Sequence, residues 1–282
     1  MHTVGARVFD QGGQVYDERL YVMPPVDDHL TSLADIDAQA VSQYHERGLL
    51  AVDRALDDVE VTAALDALNH LARPDSPAGI QYEKWAENTL EHLTPEERLD
   101  ATRKFMDFAK HDARLDALAR HPAILVVVET LLGGTPQLFQ EMALIKPPGG
   151  GREKPWHQDN AFFHLVPGTP IVGVWIALDD ATLENGCMRV VPGSHREGPR
   201  RHAFLRDLQL CDGDVPIERG VAVPLPSGGL MFFDGLLLHG TPANRTTTRR
   251  RALQFHYTVA DPETTDDEQH KATFGWVDGA EC

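Results

Sequence analysis

The chain has 282 residues, of which 42% are hydrophobic and 24% are charged, as expected of a soluble globular protein with a sizeable core. Its 43 acidic and 26 basic residues give a formal net charge of −17, and such a surface repels phosphate backbones and anionic lipids. We therefore expect no nucleic-acid partner, and the lack of an apolar run of about 18 residues argues against a membrane span.

The N-terminal region and the cysteines give an expectation for the compartment. No basic segment followed by an apolar run opens the chain, so no signal peptide is predicted. Cys187, Cys211 and Cys282 lack the spacing of a zinc or redox motif, and we expect no disulfide framework among them. Unpaired cysteines fit a reducing cytosol, so the predicted location is cytoplasmic.

The first half of the chain is predicted to be mostly helical over residues 35–134, after an extended arm at 1–30. A helix at 35–47 should end at Gly48, and a second should begin after Asp57 or Asp58. Thr94, Pro95 and Glu97 form a capping-box pattern that predicts a third helix reaching about residue 109. Shorter helices are predicted at 112–119 and 121–132, and a short strand at 49–52.

From residue 138 onwards, short apolar segments separated by Gly and Pro indicate strands. The predicted strands cover residues 138–146, 156–160, 171–178, 186–191, 221–226, 229–233 and 250–259, and a further one ends at His239. Helices first and strands afterwards indicate an α+β protein with helices covering one sheet. Many short strands without intervening helices favour a barrel or a jelly roll. We expect one domain spanning residues 1–282, with the jelly-roll core at 138–260.

The motif Trp156-His157-Gln158-Asp159 places an imidazole and a carboxylate two positions apart. On a strand, side chains at i and i+2 point to the same face. A further histidine would complete a 2-His-1-carboxylate triad, the ligand set of non-haem Fe(II) oxygenases. His-x-Asp is common without a metal, so this motif needs support from the rest of the chain.

His239 is the candidate third ligand. It ends the apolar segment 236–238 and is followed by Gly240, which places its imidazole in the interior or at a pocket mouth. The alternative is a buried, hydrogen-bonded core histidine, because 14 histidines compete for the role.

The strand that begins at Arg250 supplies a candidate anion-binding group. Its alternating side chains form two faces: an apolar one with Leu253, Phe255 and Tyr257, and a more polar one with Arg250, Gln254 and His256. Arg250 should therefore point into the barrel, whereas Arg249 and Arg251 should not. An inward guanidinium needs an anion, and it matches a carboxylate with two parallel hydrogen bonds. A salt bridge that stabilises the fold, or a solvated basic turn, would explain the same pattern.

The second half of the chain resembles the phytanoyl-CoA 2-hydroxylase family of Fe(II)/2-oxoglutarate oxygenases, and within it most of all the phytanoyl-CoA dioxygenase domain-containing proteins. The resemblance spans about residues 35–260 and is strongest over 138–258. It is carried by Lys146-Pro147-Pro148, Trp156-His157-Gln158-Asp159, Gly173-Val174-Trp175-Ile176-Ala177-Leu178-Asp179-Asp180, Glu184-Asn185-Gly186-Cys187, Pro192-Gly193-Ser194-His195, His239-Gly240 and Asn244-Arg245-Thr246 with Arg250.

The resemblance implies a double-stranded β-helix with helices packed on its major sheet. It implies that His157, Asp159 and His239 bind Fe(II), and that Arg250, eleven residues after His239, binds the far carboxylate of the cosubstrate 2-oxoglutarate. Further implied cosubstrate contacts are Thr241, Trp175, Met142 and Lys104, with Arg103 as the alternative to Lys104.

The implied reaction is hydroxylation, or a related oxidation, of a C–H bond in a small organic substrate, with O₂ consumed and succinate and CO₂ released. Family members that halogenate lack the carboxylate ligand, and Asp159 is present here. Two alternatives remain: a jelly-roll metalloenzyme that is not an oxygenase, and a protein that binds 2-oxoglutarate without turning it over. The sequence does not identify the substrate, and an acyl-CoA and a small hydrophobic metabolite are both candidates. It does not determine the oligomeric state either.

Overall fold

The computed structural model describes residues 15–282 except residues 74, 85, 87, 150, 280 and 281. The α-helices of this part of the chain are α1 (Ala38–Arg47), α2 (Asp58–Leu71), α3 (Pro95–Ala101), α4 (Ala113–Ala119), α5 (Pro122–Leu132) and α6 (Asp267–Phe274). The strands are β1 (Leu30–Ser32), β2 (Leu49–Arg54), β3 (Gly79–Tyr82), β4 (Thr102–Met106), β5 (Pro136–Lys146), β6 (Lys154–His157), β7 (Ile171–Ala177), β8 (Met188–Val190), β9 (His202–Phe204), β10 (Leu208–Gln209), β11 (Val221–Val223), β12 (Leu230–Asp234), β13 (His239–Thr241), β14 (Arg250–Val259) and β15 (Gly275–Asp278).

Two sheets form the core of the fold. The larger has eight strands in the order β1-β2-β12-β7-β14-β5-β4-β3, and the smaller has four in the order β11-β8-β13-β6. An apolar layer lies between them, with Trp175, Met231 and Phe233 from the larger sheet against Met188 and Val190 from the smaller. This is the predicted jelly roll, and the predicted α+β class is confirmed.

The opposite face of the larger sheet is covered by α1, α2, α4 and α5. The largest apolar cluster lies at this interface, where Leu68, Leu115 and Ile124 of the helices join Phe232 and Phe255 of the strands. Phe255 and Phe232 therefore face the helices, while their strand neighbours face the space between the sheets. The predicted packing of the N-terminal helices on the major sheet is confirmed.

Several helix boundaries follow the local signals in the sequence. Gly48 ends α1 in the left-handed conformation, with φ of 81°. Asp57 caps α2 by accepting hydrogen bonds from the N–H groups of Val59 and Glu60. Thr94 and Glu97 form the predicted capping box at the start of α3.

The predicted length of α3 is wrong. The helix ends at Ala101 instead of continuing to about residue 109, and the chain forms β4 from Thr102 to Met106. β4 pairs with β3 on one side and with β5 on the other. The backbone hydrogen bonds offered by β5 thus outweigh a local helix preference, so the first half contains more strand than the sequence predicts.

The N-terminal arm and the C-terminal segment both pack on the smaller-sheet side. Residues 1–14 of the predicted arm lie outside the described residues, whereas Leu20 and Tyr21 are buried and the Leu20 carbonyl accepts a hydrogen bond from Trp156 Nε1 at 3.1 Å. Near the C-terminus, β15 extends a third, three-stranded sheet in the order β10-β9-β15. None of the helices in the described part of the chain combines the length and the apolar character that a bilayer-spanning segment requires.

The expectation that the cysteines form no disulfide is wrong. Cys211 and Cys282 are joined by a disulfide bond with a Cα–Cα distance of 5.3 Å, although 71 positions separate them in sequence. The pairing of β15 with β9 brings the end of the chain beside the loop that carries Cys211. Cys187 is buried and free.

Candidate metal centre

His157 and His239 face each other across two adjacent strands of the smaller sheet. His157 is the last residue of β6, His239 is the first residue of β13, and the two are direct partners in the antiparallel register. Side chains of such partners lie on the same face, and the centroids of the two imidazole rings are 4.2 Å apart. The sequence predicted a strand that ends at His239, whereas the strand begins there.

Hydrogen bonds to the backbone set the orientation of both imidazoles. Nδ1 of His157 lies 2.7 Å from the Pro155 carbonyl oxygen, and Nδ1 of His239 lies 2.9 Å from the Leu237 carbonyl oxygen. A carbonyl only accepts, so each Nδ1 carries the hydrogen and each Nε2 keeps its lone pair. Both Nε2 atoms point to Asp159 Oδ1, at 3.2 Å from His157 and 3.6 Å from His239.

The electrostatics of the site favour the neutral form of both rings. Burial, the neighbouring His239 and Lys154 lower the pKa of His157 to about 3. Burial also lowers the pKa of His239, although Asp159 opposes the shift. A neutral imidazole with a free Nε2 is the form that binds a metal ion.

Asp159 reaches the histidines from a short 3-10 helix. The predicted strand at 156–160 ends at His157, and Asp159 is the first residue of the 3-10 turn Asp159–Phe162. Gln158 keeps an extended backbone, with φ of −113° and ψ of 134°, so the predicted i and i+2 relation survives across it. Burial alone raises the pKa of Asp159, but the neighbouring His239 and His256 and the hydrogen bond from His256 outweigh it and hold that pKa well below its usual range.

The three side chains meet the requirements of a metal site. One ligand atom from each of His157, Asp159 and His239 lies within 4.8 Å of the other two, and all three residues are buried. Two nitrogens and one oxygen in this arrangement are the donor set of the 2-His-1-carboxylate facial triad. Convergence of the predicted triad is therefore observed in the geometry.

Arg250 lies on the inner face of β14, as the alternation of that strand predicts. Its side chain is buried, and Nη1 makes one long contact of 3.4 Å with the Leu144 carbonyl oxygen. Its Nε and the indole Nε1 of Trp175 are both buried without a hydrogen-bond partner among the described residues. Burial lowers the pKa of Arg250 to about 10. Two unsatisfied buried donors, one of them cationic, need an acceptor, and an anion in the space between the sheets would supply one.

Other predicted cosubstrate residues lie on the same inner surface. Met142 of β5 and Trp175 of β7 are the cross-strand partners of Gln254 on β14, so both face the interior. Thr241 is buried on β13, two residues after His239.

Lys104 and Arg103 lie on β4, in a segment predicted to be helical. Lys104 is half-buried opposite Leu144, and burial together with Lys154 and Arg103 lowers its pKa to about 7. Arg103 Nη2 lies 3.8 Å from an Asp207 carboxylate oxygen. The side chain of Lys104 thus lies on the face of the sheet that lines the space between the two sheets. The side chain of Arg103 instead contacts the carboxylate of Asp207.

His202 has no predicted role, yet it contacts the backbone of the metal-ligand motif at Gln158. The Gln158 N–H donates to His202 Nε2 at 3.0 Å, and His202 Nδ1 lies 2.8 Å from the Arg200 carbonyl oxygen. The only available signal was its position in a short polar strand, and no local pattern links it to Gln158.

A surface depression lies away from this cluster. It has a volume of about 980 Å³, and its lining includes Asp179, Arg249 and Arg251 but no member of the triad. This depression is therefore separate from the cluster of His157, Asp159 and His239.

Comparisons with known proteins agree with this geometry. A family model described as phytanoyl-CoA dioxygenase (PhyH) matches residues 44–252. The chain is 28% identical over 232 residues to the peroxisomal phytanoyl-CoA dioxygenase of Rattus norvegicus, an alignment that covers 77% of this chain and 67% of that protein. It is 32% identical over 154 residues to phytanoyl-CoA dioxygenase domain-containing protein 1 of the same organism, covering 52% of this chain and 53% of that protein.

A solved structure shares the fold. The non-heme alpha ketoglutarate dependent carbocyclase SnoK from nogalamycin biosynthesis superposes with a TM-score of 0.66 at 24% identity, covering 87% of this chain and 93% of that one. The matched residues 44–252 include the whole triad and Arg250. The chain belongs to the phytanoyl-CoA dioxygenase family of 2-oxoglutarate-dependent non-haem iron dioxygenases.

Proposed function

We propose that this enzyme uses Fe(II), 2-oxoglutarate and O₂ to hydroxylate, or otherwise oxidise, a C–H bond of a small organic substrate, with release of succinate and CO₂. The observation that carries the proposal is the convergence of His157, Asp159 and His239 in one buried cluster. Iron bound there would supply the oxygen-activating redox chemistry. The protein's own contribution is to bind, orient and shield the reactants.

The proposed metal ligands are His157, Asp159 and His239. Their Nε2 atoms and one carboxylate oxygen point to a common region. The Nδ1 atom of each histidine is held by a hydrogen bond to a backbone carbonyl. Three protein donors leave further coordination positions for small reactants. The presence of the carboxylate favours oxidation over halogenation, because halogenating relatives lack it.

Arg250 is the proposed anchor for the far carboxylate of 2-oxoglutarate. Its guanidinium is preorganised against the Trp175 ring, with Cζ 5.4 Å from the ring centroid. The unsatisfied Nε of Arg250 and Nε1 of Trp175 would donate to carboxylate oxygens. Thr241, Met142 and Lys104 are proposed to complete this pocket, with Lys104 preferred to Arg103 because it lies in the inner row of β4.

Aromatic side chains shield the centre from water. The Phe162 ring packs edge-on against His157 with centroids 5.6 Å apart, and the Phe233 ring packs against His239 at 5.1 Å. Exclusion of water strengthens the electrostatic interactions of the bound reactants and limits side reactions. A compact, partly apolar substrate fits such surroundings, and the net charge of −17 does not favour a polyanionic CoA ester.

The proposal is tested by succinate release. Purified protein is loaded with Fe(II) under anaerobic conditions, mixed with 2-oxoglutarate and O₂, and screened against a metabolite library that includes acyl-CoAs and free acids. We expect substrate-dependent succinate release, which Asp159→Ala and His157→Ala should abolish while the fold is retained. Absence of succinate from folded, iron-loaded protein under every condition would contradict the proposal.

We further propose that residues 1–282 form one domain, and the cytoplasmic location stays a prediction. Packing of the N-terminal helices and of the C-terminal segment on the same two-sheet core supports the single domain. The disulfide between Cys211 and Cys282 removes one reason for a cytoplasmic location, because such bonds are rare in reducing compartments. Trapping the thiols in intact cells and determining the redox state of Cys211 would test the location.

A further inference from the structure

The second carboxylate oxygen of Asp159 is held by two side chains of β14. His256 Nε2 lies 2.7 Å from Asp159 Oδ2, and Gln254 Nε2 donates to the same oxygen at 3.1 Å. All three side chains are buried. The oxygen that faces His157 and His239 is the other one, Oδ1. The two oxygens of Asp159 therefore have separate partners.

The protons of this contact follow from the chemistry of the groups. A carboxylate can only accept, so His256 Nε2 must carry the hydrogen in the 2.7 Å contact. His256 Nδ1 is buried without a partner in the described part of the chain and needs no hydrogen. The amide of Gln254 must likewise turn its NH₂ group to Asp159, since its carbonyl oxygen would repel the carboxylate. Both side chains are donors, and both aim at Oδ2.

The strand and its surroundings hold the two donors rigidly. Gln254 and His256 are two residues apart on β14, so they share the inner face with Arg250. The His256 ring is packed against Phe163 and Phe233, with centroid distances of 5.0 and 6.1 Å. Its cross-strand partner on β7 is Gly173, which has no side chain to compete for the space.

We propose that Gln254 and His256 are positioning residues that hold Asp159 as a one-oxygen metal ligand. This inference rests on the proposed function, because it concerns the iron that Asp159 would bind. With Oδ2 engaged by two donors, Asp159 offers the metal Oδ1 alone. Without them, the carboxylate is free to rotate and to present both oxygens, which would occupy a coordination position that 2-oxoglutarate needs.

The test compares metal binding by variants in the absence of substrate. Apo protein is titrated with Co(II), and affinity and the visible absorption spectrum of the bound Co(II) are recorded, since that spectrum reports the number of ligands. We expect His256→Leu to weaken Co(II) binding about 10–100-fold and to alter the spectrum, as loss of a second-layer hydrogen bond does at other metal sites. Gln254→Met, which is close to isosteric, should have a smaller effect in the same direction.

Two further variants separate positioning from packing. His256→Gln keeps an N–H donor and should recover much of the affinity and the original spectrum. Thr258→Val is the matched control, because Thr258 is buried further along the same strand and its hydroxyl donates to the Pro170 carbonyl oxygen instead of to Asp159. It should leave both readouts unchanged, and melting curves establish that each variant is folded.

The outcomes distinguish this inference from the proposed function. If His256→Leu and Gln254→Met bind Co(II) with the affinity and spectrum of the unmodified protein, the positioning role is wrong. If one of them fails to fold, the other still decides the matter when it is compared with His256→Gln and Thr258→Val, because a positioning role predicts weaker binding and an altered spectrum only in the variant that has lost the donor. If the unmodified protein binds Co(II) and 2-oxoglutarate but releases no succinate, the proposed function fails and the positioning role stands. If it binds no metal, both are overturned.

Discussion

The guanidinium of Arg250 lies over the ring of Trp175, with Cζ 5.4 Å from the ring centroid, and each side chain has a buried N–H group without a partner among the described residues. Arg250 comes from β14 and Trp175 from the adjacent β7. A cation stacked on an indole is stabilised by the ring, but its unsatisfied donors still cost free energy until an acceptor arrives. An anion bound here would satisfy both donors, in agreement with the proposed role of Arg250.

Substitution of Arg250 should reduce 2-oxoglutarate affinity selectively. Arg250→Lys keeps a charge but loses the planar fork, and Arg250→Met loses both, so we expect the Kd for 2-oxoglutarate to rise about 10–100-fold, with the larger effect in Arg250→Met. Calorimetric titration of the Co(II)-loaded protein measures this effect. Co(II) affinity itself should remain close to that of the unmodified protein.

The neighbouring Arg251 provides the control for Arg250. Its guanidinium points to the opposite side and pairs with Asp179 at 2.6 Å. Arg251→Lys should leave the Kd for 2-oxoglutarate unchanged. Equal losses in the Arg250 and Arg251 variants would mean that the effect is not specific to the inner face of β14.

His202 should make the apo protein less stable in mild acid. Burial lowers its pKa to about 3, while an unfolded histidine titrates near 6.5. Between these values the unfolded chain binds more protons, so the free energy of unfolding falls as pH decreases below about 6.5 and this loss levels off near pH 3. The contribution lost between about pH 6.5 and pH 5 is roughly 2 kcal/mol.

The measurement for His202 is urea unfolding of the metal-free protein and of His202→Gln at several pH values. The other titrating groups are common to both proteins, so they cancel in the difference. We expect the stability advantage of the unmodified protein to shrink as pH falls from about 7 to 5. A difference that stays constant with pH would contradict a neutral, buried His202.

The Cys211–Cys282 disulfide should stabilise the C-terminal segment. It joins residues that are 71 positions apart in sequence. Disulfide bonds typically add about 2–4 kcal/mol to the free energy of unfolding. Reduction, or Cys282→Ser, should lower the free energy of unfolding by that amount and increase hydrogen exchange in α6 and β15. Adding reductant to Cys282→Ser should have no further effect, and an unmodified protein that is insensitive to reductant would argue against the bond.

A side chain at position 173 should disturb the metal centre through Phe233. A Cβ on Gly173 would lie 2.3 Å from two atoms of the Phe233 ring, which is fully buried and packs against His239. Gly173→Ala should therefore destabilise the protein by about 1–3 kcal/mol and weaken Co(II) binding. Gly213→Ala is the control, since a Cβ there meets nothing within 4 Å, and it should change stability by less than about 0.5 kcal/mol.

The strand positions of the functional residues could be predicted where the pattern is local. The alternation of β14 placed Arg250, Gln254 and His256 on one inner face because successive side chains of a strand point to opposite sides regardless of partners. The helix ends at Gly48, Asp57 and Thr94 could be predicted for a similar reason. These residues cap their helices through backbone groups that lie within a few positions in sequence. The roles of Gln254 and His256 remained open, because nothing local identifies Asp159 as their partner.

The amino-acid sequence by itself determined the fold class, the starts of α2 and α3, the His-x-Asp pair and the inward direction of Arg250, because these depend on side-chain periodicity and on short-range hydrogen bonds. Only the tertiary structure decided the pairing of His239 with His157, the end of α3 at Ala101 and the Cys211–Cys282 bond. Each of those joins segments that are distant in sequence, and which distant strands pair is set by burial and hydrogen bonding across the whole core. The metal centre lies at one such junction, which is why its ligands could be proposed from local motifs while their meeting point could not.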